Sequence, residues 1–196
     1  MSQYNWPLAR SANHSPYAFQ RGYFSSEECR QIIKLGLTLA AQESYIGTDH
    51  SVDQSIRRNL VSFFSNQDAK SHWIFERCSR AVHDINQQFW QFDINEIETL
   101  QFTRYDRPGD FYTWHQDLNP GLNPMRKLGF SVQLSEANSY TGGDLVFHRC
   151  GEGSYDSVRD QGAIIVFPSY QLHQVTELES GTRYSLVGWA LGRPFR

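Results

Sequence analysis

The chain has 196 residues, of which 20% are charged, 39% hydrophobic and 14% aromatic, with a formal net charge of −3. That length suits one well-buried domain, and the ring content supplies a large apolar core, which excludes a disordered chain. No cluster of Lys and Arg is available to neutralise a run of phosphates, and no long apolar run could span a membrane, so neither nucleic acid nor a bilayer is an expected partner.

The first twenty residues, MSQYNWPLARSANHSPYAFQ, lack the apolar stretch of an export signal. Cys29, Cys78 and Cys150 are odd in number, far apart and without CxxC spacing. They fit reduced thiols rather than a disulfide frame or a zinc site, and a cytoplasmic location is expected.

In chain order, Ser25, Ser26, Glu27 and Glu28 form a helix start with a capping oxygen and acidic residues at the positive end of the dipole. The spacing of Cys29, Ile32, Ile33, Leu37 and Ala40 predicts one buried stripe on a helix over 27–42. A short strand is expected near Asn59–Phe63, with Arg57 and Arg58 either reaching over the roll toward a substrate or, the favoured reading, solvating an edge strand. Asp68 opens a second helix to about Trp90, with Trp73, Ile74, Cys78, Ala81, Val82, Ile85 and Phe89 on one side. Both helices are expected to pack on one sheet.

From Glu98 the pattern changes to short β segments separated by Gly, Pro and Asn: ETLQFTRY, DFYTWHQD, KLGFSVQLS, GDLVFHR, GAIIVFP, LHQVTEL and TRYSLVGWAL. Their spacing reads as an antiparallel sandwich or barrel. A period of two sorts residues onto faces. Leu128, Phe130, Val132 and Leu134 then share an apolar face, with Lys127, Gly129, Ser131 and Gln133 opposite. Gln101, Thr103 and Tyr105 share one face of their strand, as do Arg183, Ser185, Val187 and Trp189, so a polar site inside the roll is expected.

His115 and Asp117, two apart in an extended segment, project from one side and can reach one ion at about 2.0 to 2.2 Å. Such a pair by itself is equally an exposed strand. With His173, two imidazoles and a carboxylate can hold one face of Fe(II) and leave three positions open. A turn in TELESGT is expected to bring His173 and Arg183 onto neighbouring strands. His148 and Cys150 imitate a metal pair but have no evident third ligand, and His50, His72 and His83 read as exposed.

These residues resemble the Fe(II)- and 2-oxoglutarate-dependent oxygenases, in the prolyl 4-hydroxylase-like branch that includes PKHD-type hydroxylases. The resemblance covers roughly residues 98–195. Its pattern appears as Tyr105, Tyr112, His115 and Asp117, then Gly142, Gly143, Asp144 and Leu145, then His173, Arg183 and Trp189.

The resemblance implies a jelly roll, or double-stranded β-helix, over 98–196 as catalytic core, with helices and supporting strands over 1–97, all in one domain. It implies iron ligation by His115, Asp117 and His173, and pairing of Arg183 with the distal carboxylate of 2-oxoglutarate. Ser185 and Tyr105 are implied cosubstrate contacts. Gln133 stands where the family often has a hydroxyl side chain, with Lys127 and Ser131 as competitors. Tyr112, Trp114 and Trp189 are candidate substrate contacts, and the loops 44–58 and 119–124 are candidate covers.

Cofactors implied are Fe(II), 2-oxoglutarate and O2, with ascorbate as a candidate reductant. The implied reaction is hydroxylation of a C–H bond, foremost in a prolyl residue of a peptide or protein, with release of succinate and CO2. The alternatives are the same chemistry on a free amino acid or small metabolite, a cupin-like dioxygenase without 2-oxoglutarate, and a non-catalytic metal-binding recognition module.

Overall fold

Ser25 starts the first helix through a reciprocal capping box, its Oγ accepting from the Glu28 amide at 3.2 Å while its own amide donates to Glu28 Oε2 at 2.7 Å. The computed structural model describes residues 15–44, 53–119, 121, 123–149, 153–155 and 158–194. His50, Cys150 and much of the 44–58 loop lie outside them.

In chain order the elements are β1 (Ala18–Gln20), α1 (Ser26–Gly36), β2 (Gln42–Glu43), β3 (Arg57–Arg58), β4 (Leu60–Phe64) and α2 (His72–Phe89). The β-rich half follows with β5 (Glu96–Ile97), β6 (Leu100–Tyr105), β7 (Phe111–His115), β8 (Arg126–Gln133), β9 (Tyr140–Gly142) and β10 (Leu145–Arg149). It closes with β11 (Gly153–Tyr155), β12 (Ile164–Pro168), β13 (His173–Val175), β14 (Leu178–Gly181) and β15 (Arg183–Leu191). Every strand pairing is antiparallel.

The larger sheet has eight strands in the order β1-β12-β8-β15-β6-β4-β2, with β5 added on β15. The smaller runs β11-β10-β13-β7-β3, and β14 pairs with β9 apart from both. The alternation expected of the strands sorts the core into two layers. Leu128, Phe130, Val132, Leu100, Phe102, Ile164 and Val166 of the larger sheet meet Cys29 and Ile32 of α1 and Ile74, Cys78, Val82 and Ile85 of α2. The opposite face sends Tyr105, Ile165 and Phe167 inward against Leu145, Phe147 and Val175 of the smaller sheet. This two-sheet roll with helices on one outer face is the expected fold class.

Two helix ends differ from expectation. The first helix stops at Gly36, where Thr38 Oγ1 donates to Leu35 O at 2.7 Å and tightens the exit. Leu37 is 48% exposed and Ala40 is also exposed, because Gln42 and Glu43 leave the helix to pair as an edge strand on β4. The second begins four residues after Asp68, which instead closes a turn by accepting from the Lys70 amide at 3.0 Å. Among the described residues no helix is long and apolar enough to cross a membrane.

Candidate active site

The strand β7 carries a bulge that builds the site. His115 is registered opposite His173, yet Tyr112 lies opposite Val175, so three steps along β7 match two along β13. The extra residue turns Tyr112 and His115 to the same side, their rings stacked at 3.5 Å. It turns Trp114 away, where it is 36% exposed with its ring edge against His148. The structure therefore does not bring Trp114 into the cavity with the other candidate substrate contacts.

Asp117 follows the end of β7 in a bend pinned by the Leu118 amide, which donates to Ser169 O at 2.8 Å. The ligand atoms of His115, Asp117 and His173 all lie within 4.8 Å of one another, and each imidazole Nε2 stands 3.9 Å from Asp117 Oδ1. Each Nδ1 faces a carbonyl, Thr113 O at 2.8 Å and Gln171 O at 2.9 Å. A carbonyl only accepts, so Nδ1 carries the proton and the Nε2 lone pairs face the carboxylate. Burial first, and His173 second, hold the His115 imidazole well below its ordinary value, which favours the neutral ligating form.

The donor set fits a divalent cation on its own evidence. Asp117 is buried, and its Oδ2 has no hydrogen-bond partner among the described residues. A carboxylate in that state needs a cation, and two imidazole lone pairs beside it complete a metal face. Glycine at position 129 is part of the same arrangement: a Cβ there would sit 2.3 Å from Asp117 Oδ2 and 2.6 Å from the Phe167 ring.

A cavity of about 450 Å³ opens beside these three residues. Strand β15 lines it with Arg183, Ser185, Val187 and Trp189, and β6 with Gln101, Thr103 and Tyr105, as the alternation predicts. Arg183 is 1% exposed. Its guanidinium donates to Gln133 Oε1 at 3.1 Å and Ser185 Oγ at 3.4 Å and lies 5.3 Å from the centre of the Tyr105 ring. Among the described residues its Nε has no hydrogen-bond partner, and no carboxylate lies within ion-pair reach of the guanidinium. A buried cation held only by neutral groups calls for an anion from outside the chain.

His173 and Arg183 are not on neighbouring strands. His173 sits in the smaller sheet and Arg183 in the larger, facing one cavity from opposite walls. The intervening TELESGT segment becomes β14, which pairs with β9 near Gly142 and Gly143, both at positive φ. A Cβ at Gly142 would lie 2.1 Å from Glu177 O, so only glycine allows this close crossing.

Of the competitors for the cosubstrate, Ser131 lines the cavity and Gln133 stands behind Arg183. Lys127 does neither. A second bulge, where Ala190 and Leu191 are matched to Leu128 and Arg126, makes Lys127 the extra residue and turns it against Gly192.

The same bulge delivers Arg126, which alternation alone would place on the helix face, to the cavity mouth. There it forks onto Glu98 at 2.9 and 2.7 Å and covers the Trp189 ring at 3.8 Å. Arg57, for which solvating an edge is the favoured of two sequence readings, is 9% exposed and lines the cavity. Its cross-strand neighbour is Tyr112, over whose ring its guanidinium sits at 4.5 Å. Arg58 does point outward, toward Asp110 at 3.5 Å. The signal for Arg57 was the Arg-Arg pair in an extended segment, where one of two successive side chains must face inward.

Residues 100–191 match the model of the 2OG-Fe(II) oxygenase superfamily. A PKHD-type hydroxylase of Synechococcus sp. (strain CC9605) is 35% identical over 96 residues, which are 49% of this chain and 43% of that protein. Another from Picosynechococcus sp. (strain ATCC 27264 / PCC 7002 / PR-6) is 40% identical over 95 residues, 47% of this chain and 42% of its own. The chain thus spans less than half the length of these curated relatives.

Among solved structures, a Pseudomonas putida prolyl-4-hydroxylase superposes with a TM-score of 0.72 at 18% identity, covering 92% of this chain and 94% of that one. A Trichoplax adhaerens prolyl hydroxylase, solved with a hypoxia inducible factor peptide fragment, gives 0.75 at 14% identity over 91% and 84%. The fold of this chain is similar to that of these prolyl hydroxylase structures.

Proposed function

We propose that this protein is an Fe(II)- and 2-oxoglutarate-dependent dioxygenase that hydroxylates a C–H bond of a prolyl residue in a peptide or protein. One oxygen atom of O2 enters the product and the other enters succinate, with CO2 released, and ascorbate serves as reductant. The observation that carries this reading is a buried guanidinium without a carboxylate, Arg183, in one cavity with three converging metal-ligand side chains.

In this reading His115, Asp117 and His173 hold Fe(II). Bound there, the metal supplies O2 activation, which no protein side chain provides. Arg183 presents a planar fork to the distal carboxylate of 2-oxoglutarate, with Ser185 as a hydroxyl donor and Tyr105 against the same group. Gln133 accepts from the guanidinium and fixes its orientation. The Tyr112 phenol is pushed above its ordinary value by burial, so it stays a neutral hydrogen-bonding group. Tyr112 and Trp189 offer ring faces to a pyrrolidine. Residues 98–196 form the catalytic roll and 1–97 its support, in a single domain.

The prolyl substrate is supported by the likeness to the Pseudomonas putida and Trichoplax prolyl hydroxylases and by the peptide bound to the latter. A cupin-like dioxygenase or a passive metal-binding module has no use for a buried cation, without a carboxylate partner among the described residues, in one cavity with His115, Asp117 and His173. The test is succinate release that depends on both Fe(II) and 2-oxoglutarate, compared between wild type and Arg183→Ala. Turnover in wild type and its loss in the variant are expected. Absence of 2-oxoglutarate binding to the metal-loaded wild type overturns the reading.

A further inference from the structure

We infer that Arg57 is a second anion-binding group in the cavity and that the molecule hydroxylated carries a carboxylate which docks on it. This deepens the oxygenase reading and rests on it. Arg57 is 9% exposed, lines the same cavity as the metal ligands, and projects from β3 opposite Tyr112. Its contacts are neutral: Nε donates to Asn59 Oδ1 at 3.1 Å, and the guanidinium lies over the Tyr112 ring at 4.5 Å. Among the described residues no carboxylate pairs with it, whereas Arg58 next to it reaches Asp110 at 3.5 Å.

The charges lining the cavity decide what Arg57 needs. Among the described residues the acidic groups there are Asp117 and Glu98. Glu98 is taken by both nitrogens of the Arg126 fork. The charges of a divalent cation, Asp117, Arg183 and a bound dicarboxylate cancel one another. With the cosubstrate in place, one guanidinium remains buried and uncompensated, and it is Arg57. A desolvated cation in this state selects for an anion and penalises a neutral group in the same place. Trp189 Nε1, which lines the same cavity and has no hydrogen-bond partner among the described residues, adds an unused donor. A planar fork favours a carboxylate, as a chain terminus or free amino acid, or as an Asp or Glu side chain beside the reacting residue.

The experiment loads wild-type protein with Mn(II) and 2-oxoglutarate and measures binding of three probes by calorimetry. They are N-acetyl-L-proline, N-acetyl-L-prolinamide, and acetyl-prolyl-glutamyl amide. A carboxylate probe is expected to bind about tenfold or more tightly than the amide, consistent with one charge-assisted contact. The probe that gains tells a main-chain carboxylate from a side-chain one. Arg57→Gln is expected to remove the preference while leaving 2-oxoglutarate affinity unchanged, and Arg57→Lys to retain part of it. Wild type that binds no carboxylate probe, or binds acid and amide alike, overturns the inference and needs no variant that folds. An unchanged preference in Arg57→Gln overturns it also. Failure of wild type to take up 2-oxoglutarate in the first step is a different result and removes the oxygenase reading beneath it.

Discussion

Tyr112 and His115 lie face to face, ring centroids 3.5 Å apart and planes 14° from parallel, although they stand three positions apart along one strand. A regular strand would send them to opposite faces. The bulge in β7 places the aromatic ring against the imidazole of a candidate metal ligand, where it fixes the ring plane. Tyr112→Ala is expected to lower Mn(II) affinity about tenfold with the fold intact, as removal of a group that orients a ligand does. Titration followed by electron paramagnetic resonance checks it, and unchanged affinity would show the stacking to be incidental.

Gly129→Ala places a methyl carbon 2.3 Å from Asp117 Oδ2 and 2.6 Å from the Phe167 ring. Either the carboxylate or the ring must move. The expected result is loss of most divalent-metal binding together with about 1 to 3 kcal/mol of stability. Calorimetric titration with Mn(II) and a denaturant melt measure the two effects, and normal affinity in a stable variant contradicts the account of Asp117.

Arg183→Lys keeps a positive charge but loses the fork and two of the contacts it makes to Gln133 and Ser185. Affinity of the Mn(II)-loaded protein for 2-oxoglutarate is expected to fall tenfold or more, roughly one charge-assisted bond, with metal affinity unchanged. Equal loss of both affinities would point to a collapsed cavity instead.

Cys29 and Cys78 are buried free thiols. Burial pushes the Cys29 thiol up to about 11, and it drives that of Cys78 higher still. A thiol raised in the folded state is protonated and unreactive at neutral pH. Its neutral form also contributes stability that is present below the unfolded value near 9 and is lost as pH rises toward 11. Alkylation resolved by mass spectrometry should label both residues slowly at pH 8, at the rate of unfolding, and thermal stability should fall from pH 9 to 11. Fast labelling of native protein would refute the burial.

Ser25→Ala removes the side-chain acceptor of the capping box at α1. A loss of about 1 kcal/mol is expected, lowering Tm by roughly 2 to 4 °C. Restoration by Ser25→Asp, which keeps an acceptor, distinguishes the cap from unrelated packing.

Much of the fold was legible because its signals are local and periodic. The alternation of Leu128, Phe130 and Val132 against Gly129 and Ser131, and of Arg183, Ser185, Val187 and Trp189, sorted faces correctly. The convergence of His115, Asp117 and His173 was also anticipated. What failed were the positions where period two breaks. Lys127 and Trp114 sit at the two bulges, and an inserted residue reverses which face its neighbours occupy without any change of composition. Arg57 failed for another reason: its burial comes from β7 and the cavity wall, which lie far away in the chain.

The order of residues by itself determined most of the strand faces and singled out His115, Asp117 and His173 as one candidate donor set, because hydrophobic period and side-chain chemistry are written locally. Only the tertiary structure decided that His173 and Arg183 face each other from two sheets and that Arg57 is a buried cation. Those facts depend on where distant strands pair and on how much water their packing removes, and neither quantity is carried by any short stretch of chain.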